Sequence, residues 1–183
     1  MVAQAFDQLQ IPYYVGGSLA SSLHGIPRAT QDADIVADIQ TGHVQEIVSL
    51  LRTAFYIDTD MVRDAIGKRS SFNLIHLESM FKVDIFIIQR DETAKKAMAR
   101  RETYHISPGL YQALSVASAE DTILHKLYWF RLGNRVSERQ WDDVIGVLRV
   151  QKEALDLVYL RQTSREMDVS ELLEQALSYT GIA

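Results

Sequence analysis

The sequence predicts an α+β fold, with a sheet-containing core over residues 1–115, flanked by helices, and a C-terminal helical bundle over residues 116–183 packed on it. Short apolar segments bounded by turn residues recur through the first ninety positions, which is how strands read. From Ser118 onward the apolar residues return at three- and four-residue spacing, the spacing of a buried helical face. With 183 residues, 47% of them hydrophobic and 23% charged, the chain has room for one sizeable core and a helical appendage. It does not have room for two large independent domains.

Residues 11–15 read as a short strand, Gly16-Gly17-Ser18 follows, and residues 19–23 read as a short helix that Gly25 and Pro27 stop. Residues 32–38 make the next strand. Side chains alternate across a strand, so Asp32, Asp34 and Val36 share one face. Val44, Ile47, Val48 and Leu51 mark a helix that covers the sheet. Residues 55–57, 72–77 and 81–88 read as further strands, the last apolar on both faces except at Lys82 and Asp84, as a central strand is. Residues 58–71 have mixed polarity and end in a loop-like Gly67-Lys68-Arg69-Ser70-Ser71, and residues 91–101 read as a helix with a polar face. Ser118-Ala-Glu-Asp121 and Ser137-Glu-Arg-Gln140 match the capping box that opens a helix. Trp141, Val144, Ile145 and Leu148 form a stripe, and residues 155–160 and 172–177 suggest two more helices. Their short links favour antiparallel neighbours.

Composition excludes several classes of activity. A formal charge of -5 argues against the extended basic surface that nonspecific duplex DNA binding needs. There are no cysteines, so disulfides, thiolate nucleophiles and thiolate metal sites are absent, and any metal must take oxygen or imidazole ligands. No segment approaches the roughly 18 apolar residues of a membrane span, and the N-terminus lacks a basic region followed by an apolar one. The expected location is the cytoplasm.

The informative unit is a strand that runs into Gly16-Gly17-Ser18, a short helix, and a strand opening with Asp32-Ala-Asp34. Glycine lets a backbone approach a ligand, and the N–H groups at a helix N-terminus attract phosphate. Ser18 adds a hydroxyl. Asp32 and Asp34 project to one face and converge on one or two divalent cations, for which hard oxygen ligands suit Mg²⁺ or Mn²⁺. Asp84 is a carboxylate on an otherwise apolar strand, where burial is costly. A metal shared with Asp32 would compensate it. A calcium loop does not fit, since Asp32-Ala-Asp34-Ile-Val-Ala37 lacks the glycine and distal glutamate of that motif.

Three segments together carry a resemblance: Val15-Gly-Gly-Ser18, Leu23-His-Gly-Ile-Pro-Arg-Ala-Thr-Gln-Asp-Ala-Asp-Ile35, and Val83-Asp-Ile85. The combination resembles the polymerase β type nucleotidyltransferase superfamily. His-Gly, Pro-Arg and Thr before the carboxylates are similar to the AbiEii-like branch, whose members include toxins of toxin–antitoxin and phage-defence systems. Arg139-Gln-Trp-Asp142-Asp143 resembles the arginine-then-aspartate segment of that branch. The resemblance covers the core and the first two C-terminal helices and offers no guide after about residue 150.

It implies a mixed sheet and the transfer of a nucleoside monophosphate from an NTP, ATP among the candidates, to a hydroxyl. The acceptor would be a tRNA end, a protein or a small molecule, and an antitoxin is an implied partner. Gly16, Gly17 and Ser18 would meet the triphosphate, Asp32, Asp34 and Asp84 would hold metal and form the catalytic triad, and Lys126 would reach phosphate. In a two-metal arrangement one ion activates the hydroxyl and the other steadies the leaving pyrophosphate, with Asp84 on the hydroxyl side.

Other readings of these residues stay open. Arg28, whose rigid fork suits phosphate, also suits a core carboxylate, and Lys126 lies beside the Ile123, Leu127 and Phe130 stripe, where a lysine can simply reach water. Lys95, Lys96, Arg100 and Arg101 read as a solvated helix face, with guidance of an RNA acceptor as the alternative. Tyr128, Trp129 and Trp141 read as packing residues. The five histidines have no paired ligand spacing. A noncatalytic module that keeps the fold and holds a nucleotide or partner is the alternative to an enzyme.

Overall fold

Alternation of buried and half-exposed side chains produces strands at Asp32–Ala37 (β2), Lys82–Ile87 (β5) and, over most of its length, Ser71–His76 (β4), while Tyr13–Val15 (β1) is buried throughout. They join Phe55–Tyr56 (β3), Glu102–Ser107 (β6) and Leu110–Val116 (β7) in one sheet of order β3-β4-β5-β2-β1-β7-β6. The computed structural model describes residues 1–107 and 110–182. The sheet is mixed, because β2 pairs parallel with β5 and β1 parallel with β7, while the other neighbours are antiparallel.

Residue contacts divide the chain into two units, Met1–Gly16 with Thr30–Val116, and Gly17–Ala29 with Ala117–Ala183. The first holds the sheet with helices Val2–Gln8 (α1), Val44–Leu51 (α3), Thr59–Lys68 (α4) and Glu92–Arg100 (α5). Ile35 and Ala37 of β2, Val83, Ile85 and Ile87 of β5 and Phe72 and Leu74 of β4 are buried, and so are Phe6, Ile47 and Val62 from the helices. Burying a side chain of this size contributes about 1.5–3 kcal/mol.

The second unit is wholly helical: Gly17–His24 (α2), Ala119–Leu132 (α6), Glu138–Gln151 (α7), Leu157–Glu166 (α8) and Ser170–Thr180 (α9). Ile123, Leu124, Leu127, Val144, Leu148, Leu160, Leu172 and Leu173 form its core. The sequence reading counts residues 17–29 within the 1–115 core. Here α2 instead packs on α6 and α7, because Gly25 permits a contact no other residue would: a Cβ there would stand 2.7 Å from the Val147 nitrogen and 2.9 Å from the Gly146 carbonyl carbon.

Several elements depart from the sequence reading. Helix α4 occupies the stretch of mixed polarity, held by Asp58, whose Oδ1 accepts from Met61 N at 2.8 Å, and it buries only Val62 and Ala65. Two buried side chains are too few to show a stripe. Helix α1 and strands β6 and β7 have no counterpart in the sequence reading; β6 is an edge strand that leaves Glu102, Thr103 and His105 exposed, so it lacks the alternation that betrays a strand. Ser118 caps α6 as its motif predicts, accepting from Asp121 N at 3.1 Å. Ser137 makes no side-chain cap bond, and only its carbonyl accepts from Gln140 N. Among the described residues no helix is long and apolar enough to cross a membrane.

Candidate active site

Register assembles the carboxylates in the first unit. Asp34 of β2 stands opposite Asp84 of β5, and Asp32 stands opposite Lys82. Paired residues on neighbouring strands project to the same face, so four charged side chains form a two-by-two patch on the half-buried side of the sheet. Asn73 of β4 extends the row beyond Asp84, and at its other end the Gly16 N–H donates to the Asp34 carbonyl at 2.8 Å. Thr30 fixes the first carboxylate, its hydroxyl donating to Asp32 Oδ1 at 2.8 Å.

Lys82 is the residue the sequence reading missed. Its Nζ lies 2.7 Å from Asp84 Oδ2, with 44% of the lysine side chain and 21% of the aspartate exposed. The hydrogen bond to Asp84, then the charge of Asp84, push the lysine above its ordinary range, and Asp32 and Asp34 push the same way. Its position two residues before Asp84 on a strand was the available signal.

The oxygen donors suit a hard divalent cation such as Mg²⁺ or Mn²⁺. Among the described residues no three carboxylate or imidazole groups are gathered closely enough to hold an ion as they stand. Asp84 is turned to Lys82 and Asp32 to Thr30. The donor chemistry fits the ion, and in this structure Lys82 pairs with Asp84.

A second charged group lies within the helical unit. Gly17 opens α2 with φ +55°, a backbone conformation that favours glycine. A Cβ at Gly16 would meet only the Tyr14 ring, at an ordinary 3.9 Å. Ser18, in the first turn of α2, accepts a hydrogen bond from Arg28 Nη2 at 2.6 Å. Arg28 also grips Asp143 with two bonds, Nε to Oδ1 at 2.8 Å and Nη2 to Oδ2 at 2.9 Å. Lys126 Nζ donates to the same Oδ2 at 2.6 Å.

Lys126 and Asp143 are each 6% exposed in their side chains, and Arg28 is 33% exposed. Burial pushes the Asp143 carboxyl up, but the hydrogen bonds and charges of Arg28 and Lys126 outweigh it and hold it below its ordinary value. The open choice at Arg28 thus acquires a named carboxylate, and Lys126 points inward onto Asp143 instead of out to water. The approach that Gly25 allows, with Ile26 against Gly146, carries the Arg28 loop to α7. No sequence spacing encodes it, since 115 residues separate Arg28 from Asp143.

The other side chains weighed in the sequence have local partners. Lys95 pairs with Glu92 at 2.6 Å on an exposed helix face. Trp141 packs against Phe130 with ring centroids 5.6 Å apart. His24 is buried with Nε2 2.7 Å from the Ala117 carbonyl.

No family model and no curated protein matches the sequence. Solved structures do resemble the fold. The solution structure of the antibiotic-resistance factor ANT(2'')-Ia matches with a TM-score of 0.58 at 16% identity, over 97% of this chain and 94% of that one. A crystal structure of ANT(2'')-Ia in complex with adenylyl-2''-tobramycin matches at 0.57 and 14% identity, over 90% and 93%. An antigenic nucleotidyltransferase-like protein from Paracoccidioides brasiliensis matches at 0.55 and 18% identity, over 97% and 88%. The fold is that of nucleotidyltransferases.

Proposed function

We propose that the chain is a metal-dependent nucleotidyltransferase that moves a nucleoside monophosphate from an NTP to an acceptor hydroxyl. The observation that carries this reading is the register of β2 and β5, which sets Asp34 opposite Asp84 with Asp32 one pair away, on a nucleotidyltransferase fold. Asp32, Asp34 and Asp84 hold Mg²⁺ or Mn²⁺, and Asp84 assists removal of the proton from the attacking hydroxyl. Once bound, the ion lowers the pKa of that hydroxyl and offsets the charge that develops on the leaving pyrophosphate. Gly17 and Ser18 take the triphosphate through N–H and hydroxyl donors, Gly16, whose own N–H is held by the Asp34 carbonyl, lets the backbone approach it closely, and Arg28 and Lys126 contribute charge-assisted hydrogen bonds to it.

The acceptor belongs to one of three classes: a tRNA end, a protein hydroxyl or a small molecule such as an aminoglycoside. The resemblance to the AbiEii-like branch adds a toxin role in the cytoplasm with an antitoxin as partner. Growth arrest on expression that vanishes with Asp32→Asn/Asp34→Asn is the outcome expected of a toxin.

The test is incubation with α-labelled NTPs, Mg²⁺ or Mn²⁺, and RNA, protein and small-molecule fractions, beside that double variant. Label entering one fraction only with the intact carboxylates is expected, and equal labelling by the variant sinks the reading. A noncatalytic nucleotide- or partner-binding module is favoured by one observation, that Asp84, Arg28 and Lys126 all engage other side chains. Metal-dependent NTP binding with no labelled acceptor points to that module or to an enzyme of narrow small-molecule specificity.

A further inference from the structure

Lys126 is a buried ammonium with an incomplete set of partners. An ammonium carries three donors, and among the described residues Asp143 is its one hydrogen-bond and ion-pair partner. At a position 6% exposed, Asp143 takes one of these donors, and the other two are available to a further acceptor. Two cations, Arg28 and Lys126, both bond the carboxylate of Asp143. Stability alone does not call for this arrangement, since a buried ion group can often be replaced by apolar residues without loss.

We propose that Asp143 is a positioning residue for nucleotide binding. It touches no substrate. It holds Lys126 charged and fixed by one proton, so that the other two are presented to a triphosphate oxygen, and it fixes the plane of the Arg28 guanidinium through two bonds while Arg28 reaches the Ser18 hydroxyl. This rests on the reading of Lys126 and Arg28 as phosphate ligands given above. It adds that their geometry is set by a carboxylate on α7, brought there by the Gly25 contact. An acidic residue is thereby required for binding an anion.

The test is a double-mutant cycle on binding of the α,β-methylene analogues of the four ribonucleoside triphosphates to the full chain, with circular dichroism to verify folding. Asp143→Asn is expected to weaken binding about tenfold, and Asp143→Glu to recover most of the loss. In a Lys126→Met background the Asp143→Asn effect should shrink to the part carried by Arg28, because the carboxylate acts through both cations. A merely structural Asp143 lowers the melting temperature and leaves the affinity of the folded fraction unchanged.

Wild-type affinity in Asp143→Asn, or an equal loss in both backgrounds, overturns the proposal while leaving the phosphate-ligand reading intact. Binding by Lys126→Met equal to wild type, or no analogue bound by the wild-type chain, overturns that reading and the proposal with it. If Asp143→Asn does not fold, Asp143→Glu carries the cycle, since it keeps the charge and moves the carboxylate by one methylene. Its loss must then also shrink in the Lys126→Met background.

Discussion

The two charged groups of this molecule are near mirror images. On the sheet, three carboxylates stand in register beside the ammonium of Lys82, which pairs with Asp84; among the helices, Arg28 and Lys126 both bond the carboxylate of Asp143. The first is half-exposed and built by strand register, so its members are close in sequence or directly paired. The second is largely buried and built by helix packing across 115 residues. Water screens the sheet patch and lets its side chains turn, so an excess of negative charge is tolerable there. In the helical group, low polarity makes every hydrogen bond stronger and every missing partner costlier, so its geometry is fixed in advance. Under the proposed function, a divalent ion would be admitted by moving Lys82, and an anion would meet donors already aimed.

Four measurements break or sharpen this contrast. Asp32→Asn/Asp34→Asn should reduce nucleotidyl transfer by on the order of 10² to 10³ or more in a labelled-NTP assay. The same change should leave the urea midpoint nearly unchanged, because it removes like charges from one face. A large loss of stability would mean that the sheet patch is as pre-formed as the helical one. Asp143→Ala should cost about 3 kcal/mol in urea unfolding, the low end for breaking a buried pair because Arg28 keeps a third of its side chain in water.

Acid separates the groups next. Asp143 has its carboxyl held below the ordinary value, so its contribution is fully present above the unfolded pKa of about 3.9 and is lost as pH falls through the lower folded value. Wild-type stability should therefore fall below about pH 4 more steeply than that of Asp143→Asn, as read by thermal melts across pH. Parallel curves would remove Asp143 from the acid response.

The smallest effect belongs to Lys82. Because an exposed ion pair is worth at most about 1 kcal/mol, Lys82→Gln should tighten Mn²⁺ binding by no more than about fivefold in a calorimetric titration. Weaker binding by Lys82→Gln would show that the lysine supports the ion instead of excluding it.

Much of the sheet site is readable directly from the chain. Two aspartates two apart on a strand must share a face, and an aspartate on an apolar strand needs a compensating charge; the structure supplies one, Lys82, two residues away. Elements that bury little were not readable, as α4 and β6 illustrate: the first buries two side chains, and the second leaves Glu102, Thr103 and His105 in water. Lys126 and Arg28 were legible as cations of uncertain purpose. Asp143 was legible only as part of an arginine-then-aspartate segment, because its partners come from α6 and from the loop after α2.

The sequence by itself determined the α+β class, the strands that carry Asp32, Asp34 and Asp84, and the helical character of the chain from Ser118 onward. These follow from periodicity and local chemistry, which act within a few residues. Only the tertiary structure decided that Asp34 pairs with Asp84, that α2 belongs with the helices, and that Arg28, Lys126 and Asp143 form one group. Those outcomes depend on strand order and on a close helix approach at Gly25, which are set by the packing of the whole chain and leave no periodic trace in it.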